Sequence, residues 1–202
     1  MRGKRGRAEQ EGDLDAICIG CNAEPGVKAA RELCDVLVMG PACAVQHVAS
    51  MLGRKFSYVI CGGEGEIKHA REGLLTTAEH YGLSHKLASI REVEVNPIGF
   101  NENLLSEEDL DKLKEVALAE AKKAIYEDGA EVIIGYGGPK LHDYLVENLK
   151  PVGVPVLSAS QTLRNGTEML VRLGLTHSKR TYPKPRQIYD FTMENIKIAR
   201  KK

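Results

Sequence analysis

The chain has 202 residues, with 28 Lys plus Arg balanced by 28 Asp plus Glu, so it can bury a core either as one domain or as two lobes of about 100 residues. A net charge of zero excludes an overall basic field that would draw it to nucleic acid or a membrane surface, and its apolar runs fall well short of the roughly 20 residues of a membrane span. A small-molecule partner is therefore expected. The five cysteines (Cys18, Cys21, Cys34, Cys43 and Cys61) are odd in number and follow no secretion signal, which predicts reduced thiols and a cytoplasmic protein.

Met1 to Gly12 opens with basic residues but has no apolar core behind them, and it reads as a disordered lead-in. From Asp15 onward, short Val/Ile-rich runs alternate with longer segments of helical period, the pattern of an α/β fold with parallel sheets flanked by helices. Strands are predicted over 15–20, 35–39, 56–61, 87–95, 131–135 and 154–157. Helices are predicted from Val27 to Leu33 after Pro25-Gly26, from Ala42 to Leu52 and from Glu66 to His80, with Gly53 and Gly82 as the glycines just past the last two. Ser106-Glu107-Glu108-Asp109 is a capping-box pattern that opens a strongly periodic helix to about Glu127, and Asp128-Gly129 stops it. Pro139 to Leu149, Gln161 to Leu173 and an amphipathic tail from Ile188 to Lys202 complete the predicted helices.

The chain contains an internal repeat. Laying Asp15-Ala-Ile-Cys-Ile-Gly-Cys21 on Ala130-Glu-Val-Ile-Ile-Gly-Tyr136 puts Ile17 on Val132, Ile19 on Ile134, Gly20 on Gly135 and Cys21 on Tyr136. Each copy continues as helix, strand, helix and a Leu-Gly pair, Leu52-Gly53 in one and Leu173-Gly174 in the other. Duplicated halves of this kind predict two pseudo-symmetric lobes facing each other across a cleft, with residues 13–53 plus 156–202 in the first and 54–155 in the second. Open α/β sheets bind ligands outside the carboxyl ends of their strands, so Cys21 and Tyr136 are expected at one site.

A thiol between a strand end and a helix start meets unpaired backbone N–H groups and the positive end of a helix dipole, which favour the thiolate. Cys21 is thus a candidate base or nucleophile, and the N–H groups around Asn22, Ala23 and Glu24 are a candidate cradle for a carboxylate or enolate. Gly137 and Gly138 offer the matching cradle in the second lobe. A purely structural cysteine in a half-buried turn fits the same local pattern. Cys18-x-x-Cys21 resembles a zinc or redox pair, but no second pair follows at zinc spacing, and residues three apart on a strand face opposite sides. No Gly-x-Ser-x-Gly elbow is present, and Gly62-Gly63-Glu64-Gly65 matches no nucleotide-binding pattern.

The ordered motifs resemble those of the cofactor-independent aspartate/glutamate/hydantoin racemases, and the hydantoin branch most. They are Asp15 to Cys21 with Pro25-Gly26 and Ala29-Ala-Arg-Glu32, Leu52-Gly-Arg-Lys-Phe-Ser57, Glu127-Asp-Gly-Ala-Glu-Val-Ile133, Gly153-Val-Pro-Val156 and Leu173-Gly-Leu-Thr-His-Ser-Lys179. The resemblance implies one cysteine from each lobe at opposite faces of the substrate's α-carbon, one removing the proton and one returning it, with backbone amides holding the enolate and neither metal nor cofactor required. It implies Cys21 as one of the pair. At the position of the second cysteine this chain carries Tyr136, and the family's first strand with its Asn-Pro-Asn-Thr-like turn has no counterpart before Cys21. The expected function is racemisation of an amino acid, hydantoin or related carboxylate. The alternatives are a one-thiol decarboxylase resembling arylmalonate decarboxylase and a non-catalytic relative. An uncovered edge on the first sheet is compatible with a homo-oligomer.

Overall fold

The computed structural model describes residues 14–95 and 102–184. The predicted lead-in, Met1 to Gly12, and the predicted tail helix, Ile188 to Lys202, lie outside the described residues. The elements run in the order β1 (Ala16–Cys18), α1 (Val27–Leu33), β2 (Leu37–Met39), α2 (Pro41–Leu52), β3 (Phe56–Gly62), α3 (Glu64–His80), β4 (Leu87–Glu94), α4 (Glu107–Tyr126), β5 (Val132–Tyr136), α5 (Pro139–Leu149), β6 (Val156–Ser158) and α6 (Ala159–Arg172). All strand pairs are parallel: β1 with β2 in a small sheet, and a four-stranded sheet in the order β4-β3-β5-β6.

β3 is buried along its whole length, and its side chains alternate between two cores as strand geometry requires. Phe56, Tyr58 and Ile60 join Val132 and Ile134 under α2 and α3, where they meet Val45, Ala49, Ile67 and Leu74. Val59 and Cys61 join Ile133 under α4 and α5, where they meet Leu113, Ala117, Ala121, Leu141 and Leu145. Burying residues such as Phe56 and Ile60 contributes about 1.5–3 kcal/mol each. The small sheet is also covered on both faces. Val38 packs on Ala30 and Cys34 near α1, while Leu37 and Met39 pack on Ala44 of α2 and Leu163 of α6.

Several boundaries differ from the expected ones for identifiable reasons. α2 starts at Pro41, where a proline at the first helical position costs no hydrogen bond. α3 starts at Glu64: Gly63 is the N-cap and donates its N–H to Glu66 Oε2 at 3.2 Å. The glycine run after β3 is thus a strand end and a helix cap, with Glu64 and Glu66 already at the positive end of the dipole. Gly82 has the left-handed φ of 69° expected after a helix. Gly53 is extended instead, with φ −152°, and a Cβ there would lie 2.9 Å from Val132 Cγ2. Close approach of β5, not turn geometry, explains that glycine. The division expected at residue 156 assigns β6 to the first lobe; β6 is hydrogen-bonded to β5 in the four-stranded sheet, and α6 after it packs on the small sheet.

Candidate active site

The β5–β6 register sets Gly135 beside Ser158, so the turn after β5 and the start of α6 open at the same sheet edge. The turn after β1 approaches them from the small sheet. Together Gly20, Asn22, Gly135, Tyr136, Gly137, Ser158, Ala159 and Ser160 line a cleft of about 220 Å³. Ser158 is the N-cap of α6, its Oγ accepting the Gln161 N–H at 3.4 Å and lying 3.1 Å from Ser160 Oγ. A larger hollow of about 550 Å³ lies on the α3–β4 flank, between charged side chains such as Arg71 and Glu92, which pair at 2.7 Å. It holds no thiol and none of the expected site residues, whereas the smaller cleft collects chemistry from three strand ends.

Cys21 sits between the lining residues Gly20 and Asn22 and is exposed. Tyr136 is half-buried, and the Asn22 side chain hydrogen-bonds its hydroxyl. Burial pushes the Tyr136 phenol up, the Asn22 bond offsets part of this, and the nearby Cys21 and Glu66 charges add to it. The phenol therefore holds its proton more firmly than a free tyrosine does. Asn22 Oδ1 is buried and has no hydrogen-bond partner among the described residues, which is an acceptor left open at the cleft.

The remaining expected cradle residues are placed differently. Ala23 turns toward α3, so close that a Cβ on Gly73 would lie 2.6 Å from the Ala23 methyl. Gly137 lines the cleft, but Gly138 lies against Glu102, whose carboxylate a Cβ at 138 would overlap. Glu102, only 5% exposed, accepts the Lys140 and Leu141 N–H groups, each at 3.2 Å. An internal carboxylate thus already occupies the N-terminus of α5, and the anion cradle expected there is filled by the chain itself.

The start of α2 repeats this device. Glu24, 8% exposed and at φ 52°, accepts the Cys43 N–H at 2.6 Å near the N-terminus of α2 and a hydrogen bond from the Tyr81 hydroxyl. A Cβ on Gly40 would overlap the Glu24 carboxylate. Neither Glu24 nor Glu102 was expected as a capping residue. The signal that marks them is the repeated Gly-Pro at the helix starts, Gly40-Pro41 and Gly138-Pro139, where a missing Cβ admits a foreign side chain. None of the five cysteines is in a disulfide, and Cys18 Sγ lies 3.4 Å from Thr167 Oγ1 on α6. Among the described residues, no three His, Cys, Asp or Glu side chains converge as a metal site.

Comparison with known proteins agrees with this architecture. The family model for Asp/Glu/Hydantoin racemase matches residues 4–163. The hydantoin racemase of Paenarthrobacter aurescens is 33% identical over 181 residues, covering 89% of this chain and 71% of that protein. Among solved structures, allantoin racemase from Pseudomonas fluorescens is 29% identical with a TM-score of 0.68, over 87% of this chain and 70% of that one. Unliganded arylmalonate decarboxylase, 18% identical with a TM-score of 0.57 over 88% of this chain and 79% of that one, shares the fold. With two parallel sheets, a cleft at their strand ends and a family match over most of its length, the chain belongs to the Asp/Glu/hydantoin racemase family.

Proposed function

We propose that the cleft removes and returns a proton at an acidic carbon next to a carbonyl or carboxylate, with the Cys21 thiol as acid and base. The observation that carries this reading is the shared cleft, which Gly20 and Asn22 on either side of Cys21 line together with Gly135, Tyr136 and Gly137 of the second turn. A substrate seated between Gly20, Gly137 and Ser158 presents its α-carbon to the thiol, and hydrogen-bond donors at the start of α6 face the oxygen on which the enolate charge develops. Tyr136, held protonated, serves as proton donor from the opposite side and not as base. The reaction so written calls for no cofactor: thiol chemistry moves the proton and hydrogen bonds hold the enolate. Hydantoins and related ureido or amino acids are the substrate class, by analogy with the hydantoin and allantoin racemases this chain resembles. Five cysteines without a disulfide suit a reducing, cytoplasmic setting, and an oligomer formed by copies of the chain is compatible with a first sheet of two short described strands.

The test is proton exchange in D₂O. With a 5-substituted hydantoin as substrate, loss of the α-proton signal by NMR is expected for the unaltered protein, and Cys21→Ala should slow it by about 100-fold or more. Exchange that survives in Cys21→Ala overturns the assignment.

The firmly protonated Tyr136 also favours a second reading, in which a single thiol protonates an enediolate after loss of CO₂. Arylmalonate decarboxylase, named above for its fold, suggests the substrate to try. CO₂ release from an arylmalonate that depends on Cys21, without exchange of hydantoin protons, would select this reading over the first.

A further inference from the structure

Outside the cleft, a second cysteine stands in a cluster that the proposed chemistry does not use. Cys43 lies in the first turn of α2, a 12-residue helix, and is partly exposed. Its Sγ is 4.0 Å from His47 Nδ1 one turn along, and that ring nitrogen also donates to the Cys43 carbonyl at 2.7 Å. Arg31 of α1, only 2% exposed, joins this cluster through Tyr81, whose hydroxyl donates to the same Glu24 carboxylate that accepts the Cys43 N–H. Its Nε donates to the Val38 carbonyl at 3.0 Å, and its Nη1 donates to the hydroxyls of Tyr81 at 3.3 Å and Tyr182 at 3.1 Å. Nη2 is buried and has no hydrogen-bond partner among the described residues, so the guanidinium keeps one donor open in the cluster.

An unpartnered guanidinium donor in a buried setting is costly, because the charged group has given up water without replacement. It is a place for an anion. The neighbouring groups show which anion the cluster favours. Burial opposes ionisation of Cys43, but the hydrogen bond from His47 and the positive charge of Arg31 outweigh it, and the thiol is held below its ordinary value. The Cys43 hydrogen bond in turn holds the His47 imidazole above its ordinary value. The nearby Glu24 carboxylate is taken up by the Cys43 N–H and the Tyr81 hydroxyl, and Lys179 is taken up by the Arg31 and Cys34 carbonyls.

We propose that Cys43 is a second reactive site, a thiol oxidised by hydroperoxides to a sulfenate whose new oxygen takes the open Arg31 donor. The sulfur attacks one peroxide oxygen, an S–O bond forms as the O–O bond breaks, and sulfur gives up two electrons. The leaving hydroxide, or the alkoxide of an organic hydroperoxide, takes the proton of the new S–OH group and departs as water or alcohol, which leaves the sulfenate. Arg31 and His47 are positioning residues: they hold the sulfur as an anion before the step, and Arg31 holds the oxygen after it. The other thiols have different surroundings. Cys61 is buried and pushed up to about 12, Cys34 is buried, and Cys18 is engaged with Thr167.

The test takes the full, reduced chain at about pH 6.5, where an ordinary thiol is about 1% ionised. Hydrogen peroxide is the oxidant and dimedone the sulfenate trap, with each cysteine followed by peptide mass spectrometry. Cys43 is expected to take label about 10-fold faster than Cys18 or Cys21, since His47 and Arg31 hold its sulfur as an anion. His47→Gln and Arg31→Lys should each slow Cys43 labelling about 5-fold and leave Cys18 unchanged. Equal labelling of Cys43 and Cys18, or Cys43 labelling that His47→Gln does not slow, overturns the proposal. His47 is exposed, so this variant keeps the test decisive even if Arg31→Lys disturbs folding.

Discussion

Tyr136 stands where the matching turn of the other lobe carries the Cys21 thiol, and its surroundings make the phenol harder to ionise. A base at this position has to be deprotonated before substrate arrives. Tyr136 reaches that state only above the ordinary phenol value near 10, whereas a thiol there would start from about 8.5. Tyr136→Cys should therefore raise racemisation relative to proton exchange by about 10-fold or more, read by chiral chromatography beside NMR exchange. An unchanged ratio would mean that Tyr136 is not the group on the second face. Cys21, Asn22 and Tyr136 were legible in the sequence because a strand that ends on glycine before a polar or reactive residue is a local pattern. Glu24 and Glu102 were not, since each acts on a helix distant in sequence. The same holds for Arg31, whose partners Tyr81 and Tyr182 come from other parts of the chain.

At the level of elements, capping residues and glycines made the helices readable, and α4 begins as its Ser106-Glu107-Glu108-Asp109 start requires, with Ser106 Oγ accepting the Asp109 N–H at 3.1 Å. What holds that helix to its neighbour was not readable. Arg91 of β4 forks onto Asp128, just past the end of α4, through Nε and Nη2 at 2.8 Å each, and its Nη2 also reaches Glu127 at 3.0 Å. The Arg91 hydrogen bonds hold the Asp128 carboxyl below its ordinary value. A carboxyl whose folded value is depressed contributes stability above the unfolded value of about 3.9 and loses it as pH falls through the lower folded value. Arg91→Ala should thus cost about 1–2 kcal/mol near neutral pH in urea denaturation, and the difference from the unaltered chain should shrink steadily below about pH 4. A cost independent of pH would assign Arg91's contribution to packing of its stem.

On the scale of the whole molecule, the repeat in the sequence implied two lobes, but nothing in it told how they are joined. In the structure α6 links the two sheets: it leaves the four-stranded sheet at Ser158 and packs Leu163, 6% exposed, against Leu37, Met39 and Ala44. The helix that lines the cleft with Ser158 and Ser160 is therefore the one that clasps the small sheet carrying the Cys21 turn. Leu163→Ala leaves a cavity in that clasp at a cost of about 2–5 kcal/mol. Because the small sheet has only two described strands and depends on this packing, the loss should be local. Hydrogen exchange read by mass spectrometry should show amides of Leu37–Met39 losing protection while those of Phe56–Gly62 keep it. Leu145→Ala, in the core between the large sheet and α5, removes a similar volume but should lower protection in Phe56–Gly62. If Leu163→Ala lowers protection equally in both sheets, the lobes unfold as one unit. If it is confined to the small sheet, Cys21 sits on the less stable lobe and Tyr136 on the more stable one, so opening of the cleft is movement of the thiol away from a fixed phenol.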